Sequence, residues 1–255
     1  GHANTITDEG GSGVVTVDGN LTATTYAKNG SITLEDLAVD GTISLNTHGT
    51  GNATVRNDNG LEFASSTVGG DLLATATAGD ITQNNEALAI TGTTTLITAT
   101  SNADIILGTA SNAFTGEVTL NTTGSTGHAT LNSGTTALQL GTYSATTTAT
   151  SVGGNLAITA GAAVTDLDAL TVGGTTTISA IGVDVTLNSA ANDFQGAVAI
   201  DGVNVIVVDA DSIMLAASTA TGNYTLTAGG LVVDDNSGAL AVTGTTTINA
   251  GGNVV

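Results

Sequence analysis

Proline, cysteine and tryptophan are all absent from this 255-residue chain, and Lys28 and Arg56 are its only basic residues apart from three histidines. Without cysteine there is neither a disulfide framework nor a thiolate metal site. Without proline no strand loses a ladder donor, which fits strands hydrogen-bonded on both edges nearly everywhere. Aromatic residues make up 2% of the chain, namely Tyr26, Tyr143, Tyr224, Phe63, Phe114 and Phe194, so a spherical core lacks its usual bulky filling. The missing Lys/Arg stripe excludes phosphate neutralisation and with it nucleic acid as a partner, and it disfavours anionic membranes and heparin-like polymers. No apolar run approaches the ~20 residues of a membrane span, so membrane insertion is not expected. The first residues, GHANTITDEGG, carry no charged-then-apolar signal pattern. Gly1 and His2 read as a cloning remnant, and residues 1–13 as that remnant plus an irregular lead-in; if the natural protein is exported, its signal lies upstream.

What remains is rich in small and branched residues. Hydrophobic residues reach 40%, supplied by Val, Ile, Leu and Ala, which argues against disorder. The 35 glycines and the many threonines favour strands separated by tight turns. Helix formers are scarce, and no stretch places apolar residues at i, i+3, i+4 and i+7 over several turns. The chain is therefore read as all-β. Its net charge of −20 implies solubility and self-repulsion of an extended particle.

Internal repetition is the decisive signal. One phrase reads ALAITGTTTLITA from Ala87 to Ala99, ALTVGGTTTISA from Ala169 to Ala180 and ALAVTGTTTINA from Ala239 to Ala250. A second, NAFTGEVTL from Asn112, returns as NDFQGAVAI from Asn192; a third, TVGGDLLAT from Thr67, returns as SVGGNLAIT from Ser151, with VDGNLTAT from Val17 as a distant relative. The spacings are 82 and 70 residues for the first phrase, 80 for the second and 84 for the third, too long for one coil of a solenoid. Within each long repeat, short alternating pairs such as Leu156/Ile158, Leu170/Val172, Val185/Leu187 and Val198/Ile200 follow one another, each straddling one residue that faces the other side of a strand. A hairpin sandwich and a solenoid both accommodate such strands. Recurrence of the same inward residues favours the solenoid, since like stacked on like builds aliphatic columns with Thr or Asn ladders. The expected fold is a right-handed parallel β-helix over residues 14–255, a single repeat domain of about twelve coils of three short strands, each coil about 20 residues. At about 4.8 Å per coil this is a rod of roughly 50 to 60 Å. Phe114 and Phe194, at matching places, are expected to fill one wider corner or to cover a loop.

The run from Ser151 to Gly230, with its phrases GNLAITAGA, LTVGGTTTISA and NDFQGAVAI, resembles the repeat regions of filamentous-haemagglutinin-like exoproteins, giant passengers of two-partner secretion and autotransporter systems. The likeness covers most of the chain from about Val14 onward. It implies a right-handed parallel β-helix, export to the bacterial cell surface or medium, and a role in adhesion, aggregation or spanning distance. The implied partners are a host or neighbouring-cell surface, glycan or protein, and adjoining repeats of the same protein. The family's amino-terminal secretion domain contains Asn-Pro motifs that a Pro-free chain lacks, so the expectation is an internal fragment of a longer rod.

Constellations that could carry chemistry are sparse. His48 and His128 lie in the stretches NTHGTGN and STGHATLN, which read as exposed turns, and no G-x-S-x-G elbow accompanies them. Polysaccharide-degrading β-helix enzymes are the enzymatic alternative, but cations and sugar-stacking aromatics are nearly missing. A Ca²⁺- or glycan-binding module is the other alternative. The pairs Asp166/Asp168, Asp209/Asp211 and Asp234/Asp235 offer carboxylates, although Ca²⁺ takes six to eight oxygen ligands and neither the EF-hand nor the β-roll motif is present. The runs GTTTL, GTTTI and ATTTAT raise the thought of an ordered hydroxyl face. They recur so widely in sequence that adjacent coils are not expected all to present Thr on one side. No catalytic, cofactor-binding or metal-ligating residue is assigned on these grounds; no cofactor is expected, and the chain is not expected to be an enzyme.

Overall fold

The computed structural model describes residues 5–8, 13–141 and 149–255; Gly1, His2, Tyr143 and most of the ATTTAT run lie outside the described residues. Among those described there is no helix, and the strands pair in parallel as a β-solenoid of about 11 turns. The path through one sheet that runs from Ile6–Thr7 to Thr246–Ala250 passes twelve strands, which is eleven steps. At about 4.8 Å per step the stack is roughly 53 Å long. This agrees with the sequence expectation of about twelve coils, and coil length varies along the stack. Partners one coil apart are separated by 17 residues between Val198 and Leu215, 20 between Ile158 and Ile178, and 30 between Asn121 and Ser151.

Each strand follows the alternation that its sequence carries. In Leu72–Ala76 the side chains of Leu72, Ala74 and Ala76 are buried while Leu73 and Thr75 lie half-exposed between them. Because partners keep parallel register, apart from a shift between Leu34 and Leu37, inward residues stack into columns. One runs through Leu61, Ile81, Ile105, Ala129, Leu156, Thr176 and Val198. The same register makes the three sequence phrases successive layers of one wedge. Ser66–Val68 and Leu72–Ala76 lie below Leu88–Ile90 and Thr94–Thr98, which lie below Ala113–Phe114 and Val118–Asn121. In the next repeat Thr150–Val152 and Leu156–Thr159 lie below Leu170–Val172 and Thr176–Ser179, and these lie below Asp193–Phe194 and Ala197–Gly202. The phrases recur at long range because each is one storey of a repeated building block.

Phe63, Phe114, Phe194 and Tyr224 are all fully buried. Phe114 sits on Ile90 and Phe194 on Val172, so both phenylalanines fill the bore beside a glycine corner rather than capping a loop. At that corner backbone meets backbone. The N–H of Gly174 donates to the carbonyl of Gly154 at 2.8 Å, and a Cβ on Gly174 would stand 2.7 Å from the carbonyl carbon of Gly154. Four strands depart from the three-strand coil by pairing with two strands on one side: Ile32–Val39, Thr42–Asn46, Val118–Asn121 and Ala197–Gly202. There a corner present in one coil is straightened in its neighbour. The lead-in is also not wholly irregular, since Ile6–Thr7 pairs with Ile32–Thr33 and lays Ile6 over Ile32.

Candidate functional site

The polar side chains that sequence reasoning singled out serve mostly as acceptors for backbone N–H groups of a neighbouring coil. The carboxylate of Asp166, 8% exposed, accepts from the N–H groups of Asn188 and Ser189 at 2.8 and 3.1 Å and from Nδ2 of Asn192 at 2.7 Å. Asp209, 2% exposed, accepts from the N–H of Phe194 at 2.9 Å and of Asp211 at 2.8 Å. Burial raises its pKa above the usual carboxylate range, with smaller upward pushes from the charges of Asp193 and Asp211, while those two hydrogen bonds hold it down. Asp234 and Asp235 accept from the N–H groups of Asn236 and Ser237, two residues on, and the Ser237 contact lowers the Asp235 pKa. Each of these carboxylates thus closes a local turn or ties two coils. Among the described residues, no three His, Asp or Glu side chains converge in a way that could hold a metal ion.

The histidines divide. His48 is exposed at its turn, whereas His128 is half-buried and forms part of a ladder. Along that ladder the N–H of Asp104 donates to Asp80 Oδ1, the N–H of His128 to Asp104 Oδ1, the N–H of Asn155 to His128 Nδ1 and the N–H of Thr175 to Asn155 Oδ1, all at 2.7–2.9 Å. As an acceptor Nδ1 carries no proton, so a neutral ring is the Nε2–H tautomer. A reading of His128 as an exposed turn residue therefore misses its structural duty. The signal available in sequence was its place one coil above Asp104 and one below Asn155, legible only once coil lengths are known.

Two asparagines that sequence reasoning did not single out as polar anchors have the same duty in the interior. Asn112 Oδ1 accepts from the N–H of Leu88 at 2.9 Å and Asn192 Oδ1 from the N–H of Leu170 at 2.8 Å, and both side chains are almost wholly buried. Their matching places in NAFTGEVTL and NDFQGAVAI were the available clue.

Threonine does not occupy every coil of one face, in keeping with the wide spacing of the TTT runs. In the lower stack the outward column reads Thr7, Thr33, Thr54, Leu73, Thr95, Thr119; in the upper stack it reads Gln139, Thr165, Thr186, Ile206, Thr225, Thr247. Thr from different phrases shares a column because the middle residue of each short triplet keeps register, but Leu73, Gln139 and Ile206 interrupt the columns and Thr95 and Thr119 are buried, so adjacent coils do not all present Thr on one side.

Of the surface grooves, one of about 340 Å³ is lined by Asp40, Asn59, Glu62, Asp80 and Thr82 on an acidic stretch of wall. Another of about 450 Å³ lies at the end of the stack that holds residues 15–24, lined by Ile6, Val15, Leu21, Tyr26, Leu34 and Leu37. At the opposite end the third copy of the TTT phrase is uncovered. Leu240, Val242 and Ile248 are partly exposed, and Thr246 is exposed, whereas Leu88, Ile90 and Leu96 of the first copy and Leu170, Val172 and Ile178 of the second are buried.

Comparison with known families agrees with this layering. A family model described as "Repeats of unknown function (DUF5649)" matches residues 50–121, 126–201 and 202–255. The chain belongs to that repeat family. Each DUF5649 match holds one copy of the TTT phrase, so family repeat and structural repeat coincide. No curated protein and no solved structure matches the chain.

Proposed function

We propose that this chain is a structural repeat segment of a large secreted bacterial surface protein of the filamentous-haemagglutinin type, which projects or itself forms an adhesive surface outside the cell, and that it is not an enzyme. The observation that carries this reading is the stacking of three family repeats in one register, so that repetition of sequence becomes length of rod. Solenoids gain stability by adding neighbours, and their long walls are binding surfaces. The walls here carry hydroxyl and carboxylate groups, and the Asp166 and Asp209 carboxylates are engaged with backbone N–H groups. The adhesive half of the reading rests on the resemblance and on fold analogy.

The test is retention of beads coated with the chain on bacterial and epithelial cell layers, beside beads coated with an unrelated β-solenoid of similar length and charge. Retention above the control is the expected result, and equal retention overturns the adhesive role. Incubation with a panel of acidic polysaccharides tests the other half. Release of reducing ends with turnover would make the chain an enzyme.

A further inference from the structure

An asparagine followed by glycine is a chemically reactive step, because the glycine nitrogen meets no side chain of its own as it closes onto the asparagine Cγ. Serine, with its small side chain, hinders that closure little. The chain has two Asn-Gly steps, at Asn29 and Asn59, and three Asn-Ser steps, at Asn132, Asn188 and Asn236. Closure needs the N–H that follows the asparagine to be free, and four of the five steps fail this condition. The Gly30 N–H donates to the Ala27 carbonyl at 3.0 Å and the Ser133 N–H to the Thr159 carbonyl at 3.0 Å. The Ser189 N–H donates to Asp166 Oδ2 at 3.1 Å and the Ser237 N–H to Asp235 Oδ1 at 2.8 Å. Asn29 is held further, since its Oδ1 accepts from the Thr50 N–H at 3.0 Å and Gly30 is buried.

The step at Asn59 differs. It lies in the corner between the strands Ala53–Asn57 and Leu61–Phe63. That corner is anchored on both sides: the Asp58 N–H donates to the Leu37 carbonyl and the Leu61 N–H to the Asp80 carbonyl, each at 2.8 Å, and the Gly60 carbonyl accepts from Asn57 Nδ2 at 2.7 Å. Between these anchors the Gly60 N–H has no acceptor among the described residues. Asn59 itself is exposed, and its amide makes a long surface bond, from Nδ2 to Asp40 Oδ1 at 3.3 Å. Nothing in the interior has to be broken for its side chain to turn toward Gly60.

We propose that Asn59 is a site of spontaneous deamidation and that the fold concentrates this modification there. The Gly60 nitrogen bonds to Asn59 Cγ and gives up its proton, the Cγ–Nδ2 bond breaks, and Nδ2 leaves with that proton as ammonia. Water then opens the succinimide. Cleavage of the new bond between Cγ and the Gly60 nitrogen gives aspartate, and cleavage of the original peptide bond gives isoaspartate, whose main chain runs through Cβ and Cγ. Neither step needs an oxidant or a reductant. Either product puts a carboxylate into the groove lined by Asp40, Glu62 and Asp80, where the amide had donated to Asp40. An attraction thus becomes a like-charge repulsion, and the isoaspartate also lengthens the main chain between two anchors. The inference stands independently of any adhesive role for the walls.

The experiment incubates the whole folded chain in neutral buffer, and the same chain in urea, and follows each asparagine by peptide mass spectrometry with fragmentation that separates aspartate from isoaspartate. In the folded chain Asn59 is expected to convert to a mixture of both products, at least about tenfold faster than Asn29, equivalent to about 1.4 kcal/mol in barrier. In urea the difference between the two Asn-Gly steps is expected to close, because the hydrogen bonds that hold Asn29 and Gly30 are gone. Asn59→Gln is expected to remove the isoaspartate from the folded chain while its circular dichroism is retained. Absence of conversion at Asn59, equal or faster conversion at Asn29 or at any Asn-Ser step of the folded chain, or aspartate formed without isoaspartate overturns the proposal. So does a preference for Asn59 that persists undiminished in urea, because local sequence and not the fold then sets it.

Discussion

Buried polar side chains in this narrow bore succeed or fail individually, by whether they reach a backbone partner. Tyr224 is fully buried and its hydroxyl has no hydrogen-bond partner; burial pushes its pKa up to about 12. Tyr224→Phe removes that unsatisfied group without leaving a cavity and is expected to stabilise the chain by about 1 kcal/mol, read as a higher urea midpoint with unchanged slope. Asp209 is the contrasting case. Folding raises its pKa, so the folded chain retains the proton over a pH range in which the unfolded chain has released it. Stability from this residue therefore rises as pH falls through that range and is lower once both states are ionised. Melting temperatures between pH 7 and pH 4 are expected to favour the parent chain over Asp209→Asn increasingly toward the acid end; parallel curves would contradict this. Neither role was legible in the sequence. Alternation marks Val205, Val207 and Asp209 as one face of a strand, but whether an Asp there meets solvent or an N–H depends on which turn of the next coil passes it.

Strands and corners are held to register by contacts that leave little room. At Gly174 a Cβ would stand about 2.2 Å from Asn155 Oδ1 and 2.7 Å from the Gly154 carbonyl carbon, whereas at Gly108 nothing lies within 4 Å. Gly174→Ala is expected to cost about 1–3 kcal/mol through forced displacement of the coil below. Gly108→Ala is expected to be neutral or to stabilise by about 0.4–1 kcal/mol through the unfolded chain. Equal effects in chemical denaturation would refute the corner argument. At this scale much was readable. The pairs Leu156/Ile158, Leu170/Val172 and Val185/Leu187 are strands with both named residues inward. The four doubly paired strands were not, because straightening a corner is a relation between two coils of unequal length.

As a whole molecule the chain is a stack whose only basic Lys and Arg groups are Lys28 and Arg56, the latter paired with Asp36 at 2.7 Å on the surface. Such an exposed pair contributes little, while mutual repulsion of 22 acidic residues opposes the compact state. Added salt screens that repulsion, with a Debye length of about 8 Å at 0.15 M. The melting temperature is therefore expected to rise between 10 and 300 mM NaCl, and a fall would show that specific ion pairs outweigh net charge. Sequence alone determined the all-β class and the repeat and favoured the solenoid over a hairpin sandwich, because recurring aliphatic pairs in a Pro-free, aromatic-poor chain form continuous columns when like stacks on like. Tertiary structure alone decided which phrase covers which, how Thr from unrelated phrases aligns in one column, and that Asn112, Asn192 and His128 serve the coil below or above. Those are properties of register, and register is fixed by the number of residues each corner consumes, a quantity that no local pattern in the chain encodes.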